Sequence, residues 1–410
     1  MHPENAALMR TYRQLFAVAE FRAIFVVQCL AVLGASVGNL ALGTITYATT
    51  GSALLTSLAV FGGPLIRLVA SWFLASVSDL LRPRTAMTLV AAVTCAADTL
   101  QALPDLPWVA RFALLALPWI VMSATGGSAM ALVSDILPSD AFVFGRATMN
   151  IAVGVTQIAG YGLAGLLLTA LTTTELFIVA AAAAAVGVVI LRLRIGDREP
   201  RAAGRGAVAR SHRINTGLLR SAVLRPVLLA LWVPNGLIVG CESLFIPFSG
   251  HAAGLLFATT AAGMLAGDIA IGRFIHPPLR RRLIEPLRLL LALPYLLFLL
   301  HPGLLLAGVA GLVASVGYSA SLLLQERLIS NTDPQIRGQV LGLNSAGLLG
   351  MQGIGATLAG GLAQALGTGS TAASTAIGIM ALASITVTLA LTRGLRRSRM
   401  PSPAGKRSVS

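Results

Sequence analysis

Three ionisable side chains, Arg67, Asp98 and Glu242, interrupt apolar stretches of this chain. Each brings chemistry that a plain lipid anchor has no use for. On insertion scales a charge near the centre of a bilayer costs about 2.5 to 3.5 kcal/mol, so something must compensate it. Arg67 stands roughly 12 residues from the inner end of its stretch, about 18 Å at a helical rise of 1.5 Å per residue, near the midplane. Glu242 lies somewhat further out, in the run from Asn235 to Pro247. A carboxylate held out of water can take up and release a proton near physiological pH, which is the chemistry of coupling to a proton gradient. The competing reading for Glu242 is a structural ion pair with Arg67. Asp98, near the outer end of its stretch, fits pairing or capping within the first half better than a ligand contact. Gln28, Asn39, Asn235 and the edge residue Glu326 add hydrogen-bonding groups that serve either a central cavity or helix adhesion.

The elements that must position these groups are apolar and long. At about 20 residues per crossing, twelve spans are expected, at 24–47, 53–77, 85–103, 108–133, 147–171 and 176–193, then 227–248, 252–275, 284–300, 304–324, 340–365 and 371–392. The ninth is the weakest pattern, because Arg288 must snorkel and Pro294 kinks a short run. Pro64, Pro118, Pro234, Pro247 and the pair Gly126-Gly127 add further breaks, which supply bends. The expected architecture is an all-α polytopic membrane protein. It divides into an amphipathic lead-in (1–22), a six-helix bundle (23–193), a basic linker (194–225), a second six-helix bundle (226–393) and a basic tail (394–410).

Composition and charge agree with lipid as the main solvent. The chain has 410 residues, 56% hydrophobic and 11% charged, with a mean hydropathy of +0.82. That leaves too little polar surface to cover a soluble globule of this size. Of its 30 Lys+Arg residues, only Arg67 and Arg111 fall outside the segments assigned to the inner side. The positive-inside rule then sets both termini in the cytosol, with anionic lipid head groups as neutralising partners. A net charge of +15 would indicate nucleic-acid binding in a soluble protein, but here it sits in short loops beside the membrane, so no nucleic-acid partner is expected. Lys406 is the only lysine, a bias typical of GC-rich bacterial genomes. The three cysteines, Cys29, Cys95 and Cys241, lie in apolar runs without metal-ligand spacing, and the five histidines are scattered. Neither a disulfide framework nor a metal site is indicated, and no cofactor is expected. With no nucleophile elbow and no phosphate-cradling loop, enzyme chemistry and ATP-driven transport are disfavoured.

One internal repeat supports the division into halves. Gln157, Gly160, Leu163, Ala164 and Gly165 in the fifth stretch recur in the same order as Gln352, Gly355, Leu358, Ala359 and Gly360 in the eleventh. Small residues at this spacing let helix backbones approach closely, so Gly160, Gly165, Gly355 and Gly360 read first as packing positions.

On these features and on its inner loops the chain resembles the major facilitator superfamily, in the manner of bacterial drug and metabolite exporters. The family's loop after the second span reads Gly-x-x-x-Asp-Arg-x-Gly-Arg-Arg. Here Asp79 and Arg84 match it, with Arg82 between them. After the eighth span Asp268 and Arg273 form a looser counterpart. Asp135 to Arg146, and Asp333 to Gly338, carry a further resemblance, while Tyr161 stands where antiporters of the family have a proline. The resemblance implies that the first, fourth, seventh and tenth helices line a central cavity, which places Glu242 on the substrate pathway. It also implies that Asp79 sits beside the N-terminus of the eleventh helix near Val340, and Asp268 beside that of the fifth near Ala147, where the helix dipoles favour a carboxylate and help to close the cytoplasmic side. The implied function is secondary transport of a small amphipathic molecule across the inner (plasma) membrane by a monomer, most simply as proton-coupled efflux. A proton-coupled importer or uniporter is the alternative, and a membrane-embedded enzyme or lipid-handling scaffold a remote one.

Overall fold

The computed structural model describes residues 11–74, 82–125, 128–168, 170–199, 207–333 and 336–397. Among them regular structure is entirely helical. A short helix α1 (Tyr12–Ala17) opens with a capping box in which Thr11 and Gln14 satisfy each other's backbone donors, as the Thr-x-x-Gln spacing dictates. The chain turns at Val18 and enters α2 (Ala19–Thr50). At 32 residues this helix is about 48 Å long, well beyond the ~30 Å hydrocarbon core. It therefore starts earlier than the expected span and projects past the lipid.

Seven helices among the described residues are long and apolar enough to cross a membrane, or eight if α3 (Ala53–Phe61) and α4 (Gly63–Leu74) make one bent span. That pair bends by 64° beside Pro64, which has no amide hydrogen and whose ring crowds the preceding turn. The expected count of twelve is interrupted elsewhere for similar reasons. The fourth stretch is split between α6 (Trp108–Ala124), which contains Pro118, and α7 (Ser128–Ile136); Gly126 and Gly127 lie outside the described residues. The ninth is divided between α14 (Pro277–Leu290) and a 3-10 segment, Leu293–Leu300, with Pro294 in its first turn. Conversely, Leu224–Ile269 passes as one apolar run of 46 residues. As a helix that would measure about 69 Å, more than twice the hydrocarbon thickness. It turns at Gly250, whose φ of 56° lies in the left-handed region, so α11 (Leu224–Ser243) and α12 (Phe245–Ser249) run one way and α13 (Ala253–Ile269) the other.

The remaining elements are α5 (Pro83–Gln101), α8 (Ser139–Leu167), α9 (Thr173–Arg194), α10 (Ala207–Arg220), α15 (Leu304–Val316), α16 (Ala320–Ser330), α17 (Arg337–Leu366) and α18 (Gly369–Arg397). The linker, too polar to span, contributes α10. This helix docks on α11 and α17, where Gln339 Nε2 donates to Asn215 Oδ1 at 2.9 Å.

Packing separates the two ends of the molecule. At the end remote from the arginine-rich loops, a single apolar core joins both halves: Val37, Leu40 and Val60 with Tyr161 and Leu176, and Ile238, Phe245, Phe257 and Ile377 from the second half. At the basic end the described residues form two separate cores. One gathers Leu15, Phe21, Leu132, Met149 and Leu191, all from the first half. The other gathers Leu224, Leu228, Leu287, Leu324, Val340 and Leu395, all from the second half or the linker side of it.

Arg288 departs from expectation. Instead of snorkelling it is 2% exposed, and its three guanidinium nitrogens lack hydrogen-bond partners. The α14 face that carries it turns into the second half's core beside Ile284 and Leu287, so the stem is too deep for the head to reach the interface.

Candidate central cavity

Between the joined far end and the divided basic end lies a cavity of about 310 Å3. Its walls follow helical periodicity. Asn235, Val239 and Glu242 share one face of α11, while Phe257, Thr260, Ala261, Met264 and Asp268 share one face of α13. Tyr318, Ser321, Leu322 and Gln325 do the same along the tenth stretch. These residues recur at three- and four-residue intervals, the spacing that puts side chains on one helix face. The first half contributes Phe61, Gly154, Gln157 and Tyr161, and α17 contributes Leu348 and Gln352.

Glu242 sits at the far-end limit of the cavity, 8% exposed, and its Oε1 accepts a hydrogen bond from the Tyr318 hydroxyl at 3.2 Å. The Tyr295 hydroxyl is buried close by, beside the buried Ser315 Oγ. No ion pair joins Glu242 to Arg67 among the described residues. Arg67 is half-buried on α4 and does not line the cavity. Asn235 Oδ1 accepts from Gln352 Nε2 at 3.2 Å, tying α11 to α17 across the wall.

The other polar candidates are dispersed. Asp98 is half-buried on α5 against α2, where a Cβ on Gly38 would stand 3.6 Å from its Oδ1. Gln28 and Asn39 are half-buried on α2 outside the cavity lining, with Asn39 beside the Tyr161 hydroxyl. Glu326 is exposed on α16, and its neighbour Gln325 faces the cavity instead; one position is about 100° of helix rotation, enough to change face.

In the loop after the second stretch, Asp79 lies outside the described residues. Arg82 pairs with Asp197 of the linker, and Arg84 donates to the Arg192 carbonyl. Arg273 is exposed in a π-helical turn, Ala270–Phe274, that continues α13. Asp268, just over one turn before it, lines the cavity. Those helices begin earlier than the dipole argument assumed, at Ser139 after the N-capping Pro138 and at Arg337. Ala147 is therefore an interior position of α8, while Val340 lies in the first turn of α17.

The four repeat glycines stand at close helix crossings. A Cβ on Gly160 would lie 2.7 Å from Ser36 Cβ of α2, and one on Gly355 would lie 1.8 Å from the Gly236 carbonyl of α11. Gly165 would meet Gly254 Cα at 2.3 Å and Gly360 would meet Leu54 Cα at 2.8 Å. The first of each pair packs within its half, and the second packs across to the other half.

Sequence reasoning passed over Tyr161, Tyr318, Gln157, Gln325 and Gln352 as cavity residues. A signal existed for two of them. Gln157 and Gln352 occupy equivalent places in the repeat, and an amide in an apolar helix beside packing glycines marks the face that is not lipid-exposed.

No family model matches this chain, and no curated relative does. Solved structures do. A POT family transporter crystallised with 5-aminolevulinic acid is 13% identical, over 93% of this chain and 96% of that one, with a TM-score of 0.71. The nucleoside transporter NupG is 14% identical over 92% and 99%, again with a TM-score of 0.71. A bacterial homolog of the human lysosomal transporter Spinster, inward-facing and occupied, is 13% identical over 94% and 98%, with a TM-score of 0.69. At such identities the likeness establishes the fold. With seven helices among its described residues long and apolar enough to cross a membrane, the chain is a multi-pass membrane protein. Its fold is that of the major facilitator superfamily.

Proposed function

We propose that this protein is a secondary active transporter that moves a small amphipathic molecule across the plasma membrane by alternating access, with proton-coupled efflux as its mode. The observation that carries the proposal is the pairing of one shared core at the far end with two separate cores at the basic end, around a cavity that holds Glu242. Halves that share one core at one end and pack into separate cores at the other can rock about an internal site. Twelve crossings, six per half, follow when each broken helix is counted with its continuation. An even number places both termini on one side, and the arginine-rich loops make that side the cytoplasm. The cavity then opens inward.

Glu242 is the coupling acid in this scheme. It has no counter-ion among the described residues, and a neutral phenol donates to it. It can therefore change protonation without breaking a salt bridge. Arg67 and Asp98 act structurally, within the first half. The inner loops, through Arg82 and its pairing with Asp197, join the linker to the bundle.

The test is proton movement in inside-out vesicles that hold an acid-inside gradient, followed with a pH-sensitive dye while amphipathic compounds are added. Wild-type vesicles should lose the gradient on addition of a substrate. Glu242→Gln, folded by the same thermal unfolding criterion, should reduce the rate at least tenfold. Equal rates in the two proteins would remove Glu242 from the mechanism.

A further inference from the structure

The charge in the cavity is one-sided. Glu242 and Asp268 both line it, whereas no Arg, Lys or His does among the described residues. Neither carboxylate takes part in an ion pair among those residues. Asp268 lies 11 positions beyond Phe257 on α13, about 16 Å along the axis. Phe257 itself packs edge to face on Phe245, with centroids 5.2 Å apart, and Phe245 is three positions from Glu242. The two acids therefore stand toward opposite ends of the cavity.

Between them the wall is aromatic and amide. Tyr161 and Phe257 stack with ring centroids 4.8 Å apart and planes 19° from parallel, and Phe61 lies 6.3 Å from Phe257. The amides of Gln157 and Gln352 face the same space. The volume, about 310 Å3, is at the lower end of the ~300–1,000 Å3 range of small-molecule sites.

We propose that this cavity selects a monovalent organic cation with a compact apolar or aromatic body, its charge held toward Glu242 and its body against Tyr161 and Phe257, with Asp268 drawing cations in at the basic end. A buried carboxylate at Glu242 and a half-buried one at Asp268, without a positive partner among the described residues, are costly, and the neutralising charge must come from bound protons or from the ligand. A cation completes the site electrically. Electron-rich ring faces add a second attraction for it. An anion meets two like charges, and a ligand carboxylate finds no basic side chain to hold it. The inference rests on reading this cavity as the transport site, and it narrows that reading to one charge class.

The experiment is equilibrium binding to the purified full-length protein in detergent, with three probes of similar size: benzyltrimethylammonium (cation), N-benzylacetamide (neutral) and benzenesulfonate (anion). The cation should bind at least tenfold tighter than either of the others. Glu242→Gln should erase most of that preference, and Asp268→Asn, at a half-buried position toward the basic end of the same cavity, should reduce it several-fold. Equal binding of the three probes, tighter binding of the anion, or no binding of the cation up to millimolar concentration would overturn the assignment. Proton flux in vesicles separates the two claims. Flux without charge preference leaves the transporter standing and removes the cation, while charge-selective binding without flux in any compound panel does the reverse.

Discussion

At the far end, the halves meet through backbone. Gly165 and Gly254 approach so closely that a Cβ on Gly254 would fall 1.9 Å from the opposite Cα, and Ile246 fills the space beside Gly43. At the basic end each half closes on itself: Phe21 packs with Met149 and Leu191 in one core, and Leu228 with Leu324 and Val340 in the other. Both ends are apolar and both are helical, so composition does not distinguish them. What differs is where small residues permit contact between halves. The comparison teaches that opening and closing here is a competition between two sets of interfaces, of which this conformation has made one. A difference of a few kcal/mol between such sets is enough to shift the population almost wholly to one side.

The strongest way to break the comparison is to put bulk where the backbones touch. Gly254→Val places three carbons into space occupied by Gly165 backbone, which cannot move aside as a side chain can. Overpacking a close contact costs about 1–3 kcal/mol when neighbours can adjust, and here the expected effect is at least at the top of that range. Amide hydrogen exchange should quicken at 40–60 and 243–256, with residues 15–30 unchanged. Gly342→Ala is the control, because nothing lies within 4 Å of a Cβ there and Ala favours helix over Gly by about 1 kcal/mol. A folded Gly254→Val protein with an undisturbed far end would sink the idea that this contact holds the halves together.

Much of this was legible in the sequence. Hydropathy placed the helices and the repeat placed the glycines, because lipid exposure and close packing are local demands written in residue type. The resemblance named the fold that the solved structures share. Three things were hidden. Pro64 and Pro294 were legible as bends, but not that the α-helix ends outright at Gly62 and after Leu290, since a proline's effect depends on whether neighbours re-satisfy the freed carbonyl. The exposure of Glu326 and the inward turn of Gln325 depend on one residue of helical phase, which an apolar helix with little amphipathicity does not specify. The Tyr318 donor to Glu242 comes from a different helix 76 positions away, and a contact of that separation leaves no spacing pattern to read.

A second, smaller test addresses the polar latch of the far end. Ser57 Oγ donates to the Ser243 carbonyl at 3.4 Å, and the two hydroxyl oxygens are 3.0 Å apart, fully buried between the halves. Removing either hydroxyl should cost about 1 kcal/mol, the usual net value of such a bond. Combining Ser57→Ala with Ser243→Ala should cost less than the sum, since both changes remove the same contact. Strict additivity in thermal or denaturant unfolding would mean the hydroxyls act separately, and the far end would then be held by its apolar and glycine contacts alone.

The smallest expected effect belongs to the basic end, and it sharpens what that end does. Arg198 binds the Glu20 carboxylate through two nitrogens, at 2.7 and 3.1 Å, and the Gly196 amide donates to the same carboxylate at 2.8 Å. The linker is thus anchored on the first half here and on the second half through Asn215 and Gln339. The hydrogen bonds from Arg198 to Glu20, and then the carboxylate's charge, hold the guanidinium pKa above its ordinary value. Because the folded value is raised for Arg198 and, through the same hydrogen bonds, lowered for Glu20, the pair's contribution is constant across the physiological range and is lost only in acid, as the Glu20 carboxylate protonates. Salt is the variable that exposes it. A pair about a quarter exposed on each side contributes roughly 0.2–1 kcal/mol, and Glu20→Gln should lower the unfolding temperature slightly in low salt, with the gap closing near 1 M salt as screening removes the attraction. A gap that persists in high salt would assign the anchor to the hydrogen bonds that need both carboxylate oxygens rather than to long-range charge. Either way, the loss should be far smaller than that from Gly254→Val, because a tether at the basic end limits how far the halves part without holding them together.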